Sequence, residues 1–361
     1  MMWRIRMPMP HLRRRRMVEG PPATYSPALA RDATGDVPAT RSCTMTLGLP
    51  KLATTLLGTQ AADILGRRAF RSDVRVVALH DVPDARRLDE LLRHLGRHYR
   101  VLRQSEVLGA VAGSAGTDRP AVWLTFDDGH PSVFEVALPL LQEHGMTATA
   151  FVCPSVIGTC EPLWFQLVLG CAAEGLDWTW RDHRLDLDVD AVIRGLKGLP
   201  DDQRRQECDQ LADHAARHGC PAIELRQATL SQLRGWTDAG NTIGNHSWDH
   251  PLLSRCDDRS VEHQLRTTDA WLREHGVWSG SFAYPDGAWN PVAEGLLTDL
   301  GVSTALGFDH STVRRRSNPL RLSRLMLDAD ADLHRARAIT SGWHSRVFGA
   351  VRRQSSDRTM P

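Results

Sequence analysis

Short apolar segments with β-strand propensity alternate with segments of helical periodicity along most of this chain, and this alternation limits the folds that it can adopt. The clearest strand signal is Ala121–Phe126, and apolar side chains at helical spacing follow Pro131. The same order recurs at Val74–Leu79 and around residues 147–152 and 302–306. Because strands joined by helices pair in parallel, the pattern predicts an α/β fold, either an open sheet or a closed barrel.

The composition excludes several classes of protein. Lysine and arginine number 44 and aspartate and glutamate 43, so the formal charge of +1 predicts no nucleic-acid partner. The seven cysteines are scattered and odd in number, which indicates neither a disulfide framework nor a structural zinc site. No apolar run approaches the length of a membrane span, so we expect no transmembrane segment and, by default, a cytoplasmic location. The oligomeric state stays open.

Changes in composition divide the 361-residue chain into three parts. Residues 1–72 include an arginine run at 13–16 and lack periodicity, so we expect a disordered or poorly structured extension. Residues 73–330 carry the strand and helix signals and form the predicted domain, and residues 331–361 are expected to be a polar tail. Residues 157–228 break the alternation and predict a helical insertion, whose aromatic side chains either stack on sugar rings or pack the insertion itself.

Two carboxylates follow the central strand directly. Asp127 and Asp128 come immediately after Ala121–Phe126, and functional side chains collect at the C-terminal ends of parallel strands. A solvated turn before a helix is the ordinary alternative for Asp-Asp-Gly taken alone. The rest of the sequence therefore decides between a turn and an active site.

A histidine pair, His246 and His250, follows another strand signal. Two imidazoles and one carboxylate are typical of catalytic metal sites, because they leave a fourth position open. We therefore expect Asp128, His246 and His250 to bind one divalent metal ion and Asp127 to act as base toward a metal-bound water. Zn²⁺, Co²⁺, Ni²⁺ and Fe²⁺ are all compatible with these ligands. Two other pairs have the same spacing but lie in helical patterns, which predicts solvated positions: His94/His98 and His214/His218.

Two motifs together carry a family resemblance. Thr125-Phe126-Asp127-Asp128-Gly129, followed by His246-Ser247-x-x-His250, resembles the polysaccharide deacetylase (NodB-homology) family, carbohydrate esterase family four, over roughly residues 74–327. The resemblance implies a distorted (β/α) barrel of about seven parallel strands. It also implies metal-dependent removal of acetyl groups from N-acetylated, less often O-acetylated, sugars. Asp127 would then be the base, the other three residues would bind the metal, usually zinc, and the partner would be an N-acetylated sugar polymer or oligosaccharide.

Two later motifs depart from the family pattern. The usual Arg-Pro-Pro-Tyr-Gly is replaced by residues 283–287, Ala-Tyr-Pro-Asp-Gly, so the arginine that orients the base is absent. The late Leu-x-His, which normally supplies the acid, ends in Arg324 instead of histidine. In the subgroup that acts on exopolysaccharides, a histidine after an early strand takes the place of the acid, and His80 matches it. A strand-end histidine with a purely structural role is the alternative for His80.

These departures lead to three further expectations. We expect His80 to be the acid that protonates the leaving group. Arg324 is expected to pair with Asp127 and to hold that carboxylate ionised. A backbone N–H near Tyr284 and Pro285 is expected to bind the oxyanion together with the metal.

The favoured hypothesis is a metal-dependent hydrolase of carbon–nitrogen bonds other than peptide bonds, acting on N-acetylated sugars. Hydrolysis of a small N-acyl or cyclic amide by the same site is the alternative among enzymes. A lipid-linked or nucleotide-linked sugar as substrate would be compatible with both hypotheses. A catalytically inactive carbohydrate-binding barrel is the alternative from a different class. The altered motifs favour it, whereas the intact Asp127, Asp128, His246 and His250 argue against it.

Overall fold

The computed structural model describes residues 55–113, 119–220 and 222–347. The strands are, in chain order, β1 (Val74–Leu79), β2 (Arg100–Val101), β3 (Ala121–Phe126), β4 (Ala148–Val152), β5 (Thr179–Trp180), β6 (His183–Arg184), β7 (Thr242–Asn245), β8 (Trp278–Ala283), β9 (Thr304–Leu306) and β10 (Leu325–Met326). The α-helices are α1 (Gln60–Ala69), α2 (Ala85–His98), α3 (Val107–Ala112), α4 (Leu138–Glu143), α5 (Trp164–Ala173), α6 (Val189–Lys197), α7 (Asp201–Arg217), α8 (Leu230–Asp238), α9 (Asp258–Glu274), α10 (Pro291–Asp299) and α11 (Leu333–Thr340). A π-helical turn, Val133–Ala137, runs directly into α4.

The main sheet is parallel and curled. Its strand order is β10-β1-β3-β4-β7-β8-β9, with β2 paired to the start of β3, while β5 and β6 form a separate antiparallel hairpin. Every residue of β1 and β3 is buried. Their largely apolar, β-branched sequences suit strands that are covered on both faces, as in a parallel sheet wrapped by helices.

A short segment that begins at Leu322 links the two edges of the curled sheet. The Leu322 N–H donates to the carbonyl oxygen of Ala305 and the Leu322 carbonyl accepts from the N–H of Gly307, each at 2.8 Å, which ties the segment to β9. Immediately afterwards, Leu325 pairs with β1. The predicted distorted (β/α) barrel of about seven parallel strands is therefore confirmed, and Arg324 lies in the segment that joins its edges.

The folded region extends further at both ends than the sequence predicts. Helix α1 lies within the expected poorly structured extension, and α11 within the expected polar tail. The buried Arg75 of β1 ties both helices to the barrel, because its guanidinium donates to the carbonyl oxygens of Phe70 (2.7 Å), Thr340 (3.0 Å) and Ser341 (3.2 Å). Such long-range contacts leave no periodicity in the sequence. Residues 1–54 and 348–361 of the two terminal segments lie outside the described ranges.

The insertion, residues 157–228, is helical with one small hairpin. Helices α5, α6 and α7 pack around their own apolar cluster, which includes Leu185, Val192 and Leu211. Trp164 is 8% exposed and Trp180 is 4% exposed. These two aromatic side chains therefore pack the insertion itself and are not available to stack on sugar rings. In the described ranges, no helix combines the length and the apolar character that crossing a membrane requires.

Candidate active site

The two adjacent carboxylates lie at the C-terminal end of β3. The Asp127 N–H extends the pairing with β1 by donating to the carbonyl oxygen of Leu79 at 2.9 Å. Asp128 and Gly129 then adopt left-handed backbone conformations, with φ of 66° and 72°. This conformation is uncommon for residues other than glycine but is tolerated by aspartate, and strained residues of this kind cluster at functional sites.

The two histidines lie on a tight turn after β7. Ser247 and His250 both have positive φ, 66° and 62°. The Asn245 side chain accepts the Ser247 N–H at 2.8 Å, and the Ser247 hydroxyl accepts the His250 N–H at 3.2 Å. These side-chain contacts satisfy backbone groups inside the turn and bring both imidazoles to the same side of it.

The turn brings His246 and His250 next to Asp128. Each histidine Nε2 lies 3.4 Å from Asp128 Oδ1, and the three potential ligand atoms lie within 4.8 Å of one another. His246 Nδ1 is 2.8 Å from the carbonyl oxygen of Ala283, which places the proton on Nδ1 and leaves the Nε2 lone pair free. Asp128 Oδ1 is buried and has no hydrogen-bond partner among the described residues. This donor set fits a divalent metal ion with one carboxylate and two imidazole ligands.

The electrostatics of Asp128 and His250 also suit metal binding, whereas Asp127 and Asp128 outweigh burial and raise the pKa of His246. Burial raises the pKa of Asp128, but His250, His246 and His80 outweigh burial and hold that pKa well below its usual range. Burial lowers the pKa of His250 to about 3, so its imidazole is neutral near pH 7. An ionised carboxylate and a neutral imidazole are the protonation states that metal ligands require.

Asp127 forms a buried ion pair with Arg324. The Arg324 Nη1–Asp127 Oδ1 distance is 2.7 Å, and the two side chains are 0% and 1% exposed. Burial raises the pKa of Asp127, but Arg324, His246 and His80 outweigh burial, so the net pKa is lowered. Asp127 Oδ2 is buried without a hydrogen bond among the described residues and lies 3.9 Å from His246 Nε2. One carboxylate oxygen is thus anchored and the other is available at the cluster.

His80 lies at the same edge of the sheet. It follows β1 directly, and the register Leu79↔Phe126 places it beside Asp127 across the β1–β3 pair. His80 is half-buried, and its interaction with Asp127 and Asp128 contributes to the low pKa of both carboxyl groups. The structure therefore brings His80, Arg324 and the four motif residues together, and their chemical roles stay predictions.

The expected oxyanion donor is not the amide of Tyr284. The Tyr284 N–H already donates to the carbonyl oxygen of Leu306 at 2.9 Å, and Pro285 has no N–H. The Tyr284 ring is fully buried and packs edge-on against Phe282, with 5.0 Å between ring centroids. Because pairing with β9 uses the Tyr284 N–H, the predicted oxyanion donor near Tyr284 and Pro285 would have to be another backbone amide.

The insertion supports the histidine turn through residues that the sequence analysis missed. Asp249, next to His250, forms a bidentate ion pair with Arg205 of α7 at 2.7 and 3.0 Å. The Trp164 indole donates to the carbonyl oxygen of His250 at 3.0 Å, and the Phe165 ring lies 5.0 Å from the His250 ring. These partners are far apart in the chain, so no local motif indicates them.

A second contact joins the insertion to the third motif. Lys197, at the end of α6, lies 2.5 Å from Asp286. Lys197 also contributes to the low pKa of His250. The insertion therefore borders the site on two sides, at the histidine turn and at the Ala-Tyr-Pro-Asp-Gly segment.

Removal of the Arg205 side chain tests how much the insertion supports the histidine turn. In Arg205→Ala, Asp249 loses its bidentate partner and the turn gains freedom, so we expect divalent metal affinity to fall by about tenfold, a typical loss for groups that support metal ligands. Competition with a chelator of known affinity measures the change. Arg194→Ala, an exposed arginine on α6, is the matched control. Equal metal affinity in both variants would contradict a supporting role for Arg205.

Comparisons with known proteins bear on the family and the fold of this chain. The family model described as "Polysaccharide deacetylase" matches residues 114–305, more than half of the chain. A de-N-acetylase structure from Aggregatibacter actinomycetemcomitans is 15% identical with a TM-score of 0.50, covering 74% of this chain and 99% of that one. At this identity, the likeness shows the fold alone.

Two further solved structures are similar. The Streptococcus pyogenes deacetylase PplD in complex with acetate has a TM-score of 0.48 at 16% identity, covering 73% of this chain and 95% of that one. IcaB from Ammonifex degensii has a TM-score of 0.48 at 17% identity, covering 76% and 97%. The family match, which covers both the Asp127-Asp128 and the His246–His250 motifs, shows that this chain belongs to the polysaccharide deacetylase family and is a hydrolase of carbon–nitrogen bonds.

Proposed function

We propose that the protein removes N-acetyl groups from an amino-sugar polysaccharide or oligosaccharide, with one divalent metal ion, zinc in the first instance, held by Asp128, His246 and His250. The observation that carries the proposal is the position of a free carboxylate oxygen, Asp127 Oδ2, beside the three potential ligand atoms. When bound there, a divalent cation supplies Lewis acidity, which lowers the pKa of water and polarises a carbonyl group.

The chain's own residues divide the proton transfers. Asp127 accepts a proton from the attacking water through Oδ2, while Arg324 keeps Oδ1 anchored and the carboxylate ionised. His80 donates a proton to the nitrogen as the C–N bond breaks, so that acetate and a free amine result. Arg324 thus takes the place of the arginine that is missing from the third motif.

The proposal is tested by measuring bound metal and acetate release on the same preparations, with N-acetylglucosamine oligomers and the monosaccharide as substrates. We expect about one equivalent of metal, as one Asp-His-His cluster among the described residues implies, and acetate release that favours the oligomers. Acetate release from the monosaccharide alone would replace the polymer with a small amide as substrate. Bound metal without any acetate release would contradict deacetylation of these sugars, and absence of metal would contradict the ligand assignment.

A further inference from the structure

A cavity lies at the end of the barrel opposite the candidate active site. It measures about 780 Å³ and is bordered by α1, the end of α2, the residues just before β3, and α11. Pro120, in its wall, directly precedes the first residue of β3, whereas Asp127 follows the last. The six residues of β3, roughly 20 Å of strand, therefore separate this cavity, which we call the basic pocket, from the catalytic cluster.

The basic pocket concentrates positive charge in a chain that is almost neutral overall. Its wall contains one acidic side chain, Asp63, which pairs with Arg67 at 3.1 Å. Six arginines line it: Arg67, Arg68, Arg71, Arg97, Arg119 and Arg337. Among the described residues, Arg68, Arg71, Arg97 and Arg337 make no ion pair. The pocket therefore has a large excess of guanidinium groups over carboxylates.

Helix ends account for only part of this charge. Arg67, Arg68 and Arg97 lie in the last turns of α1 and α2, where cations offset the helix dipole. Arg337 likewise lies in the last turn of α11, but Arg71 and Arg119 lie outside helices, so a helix dipole does not explain these two arginines. Their convergence on the same cavity needs a different reason.

Two buried side-chain nitrogens beside the pocket lack hydrogen-bond partners among the described residues. Arg97, His98 and Arg337 also line an adjoining cavity of about 110 Å³, together with His94. His94 is 6% exposed, which corrects the solvated position that the sequence predicts. Among the described residues, neither His94 Nε2 nor Arg337 Nε has a hydrogen-bond partner, although both atoms are buried. Unsatisfied buried polar atoms are costly, and Arg337 Nε can only donate, so its presence at a cationic cavity points to an acceptor supplied by a ligand.

We propose that the basic pocket binds a phosphate-bearing ligand. Guanidinium groups match phosphate oxygens in bidentate geometry, and several arginines around one cavity suit a group with more than one charge. The volume lies in the range of small-ligand sites and exceeds that of a single phosphate, so the ligand carries a diphosphate or a further attached group. Two sources share this chemistry: a free diphosphate-containing solute and a phospholipid headgroup.

The test uses the full chain and two probes. Inorganic pyrophosphate is titrated by calorimetry at low salt, and flotation is measured with vesicles of equal parts phosphatidylcholine and phosphatidylglycerol, against pure phosphatidylcholine vesicles. The variant is Arg71→Glu/Arg97→Glu, at two exposed positions of the pocket. The control is Arg234→Glu/Arg259→Glu, which changes the net charge equally at exposed positions elsewhere. The arginines at residues 13–16 are common to all preparations and do not affect the comparison.

We expect saturable binding of at least one probe, weakened by at least about tenfold in the pocket variant and unchanged in the control. Binding of pyrophosphate identifies a solute, and binding of the anionic vesicles alone identifies a headgroup. Absence of binding to both probes, or equal weakening in the control, would overturn the proposal. If the glutamate variant unfolds, Arg71→Gln/Arg97→Gln replaces it. Acetate release tests the proposed function separately, and the pocket variant should retain it.

Discussion

Asp127→Asn should lower acetate release by about 10²–10⁴-fold while the protein still binds its metal. Asparagine preserves the shape of the side chain but cannot accept a proton from water. The carboxylate oxygen that is lost is Oδ2, which has no hydrogen bond among the described residues and lies 3.9 Å from His246 Nε2. Turnover and bound metal are measured on the same preparations, below the melting temperature of the variant.

Asp128→Asn is the matched control, because it changes the neighbouring carboxylate in the same way. Asp128 Oδ1 lies 3.4 Å from both histidine Nε2 atoms, so this variant should lose metal and activity together. The two variants are therefore expected to distinguish the base, Asp127, from the metal ligand, Asp128. Wild-type turnover in Asp127→Asn would contradict the base role, and loss of metal in that variant would make Asp127 part of the metal site.

Much of the fold and of the site follows from local sequence patterns. Strand signals that end in Asp127 and in His246 predict functional side chains at one edge of a parallel sheet, and the barrel places them there. His80 is predicted in the same way, because β1 pairs with β3 in register and the residues after both strands lie side by side. Local periodicity identifies these strands, and parallel pairing then determines which of their ends meet.

What the sequence does not reveal depends on contacts between distant residues. Arg205 and Asp249 are 44 positions apart and belong to different elements, so neither indicates the other. Arg75 holds α1 and α11 through carbonyl oxygens, which every residue possesses and no pattern marks. Strand pairing occupies the Tyr284 N–H, and no local pattern indicates this pairing. In each case the partner is set by the folded barrel and not by spacing along the chain.

Arg324→Leu should lower the free energy of unfolding by about 3–5 kcal/mol, because it leaves the Asp127 carboxylate buried without its partner. Arg324 is fully buried, donates to Asp127 at 2.7 Å and to the carbonyl oxygen of Gly307 at 3.3 Å, and its guanidinium carbon lies 4.0 Å from the centre of the Phe308 ring. Chemical denaturation with the metal at saturating concentration measures the change. On the fraction that remains folded, kcat should fall while KM changes little, because Arg324 acts on the base and not on the bound sugar.

A double-mutant cycle separates the ion pair from the other contacts of Arg324. Each single substitution, Asp127→Asn or Arg324→Leu, leaves one buried charge without its counterpart, whereas the double variant leaves none. The double variant should therefore be more stable than the sum of the two single changes predicts, with a coupling energy of the order of 1–3 kcal/mol. Arg324→Lys keeps the charge and should restore part of both stability and kcat. Strict additivity in the cycle would mean that Arg324 stabilises the closing segment through Gly307 and Phe308, and the ionised state of Asp127 would then depend on His246 and His80.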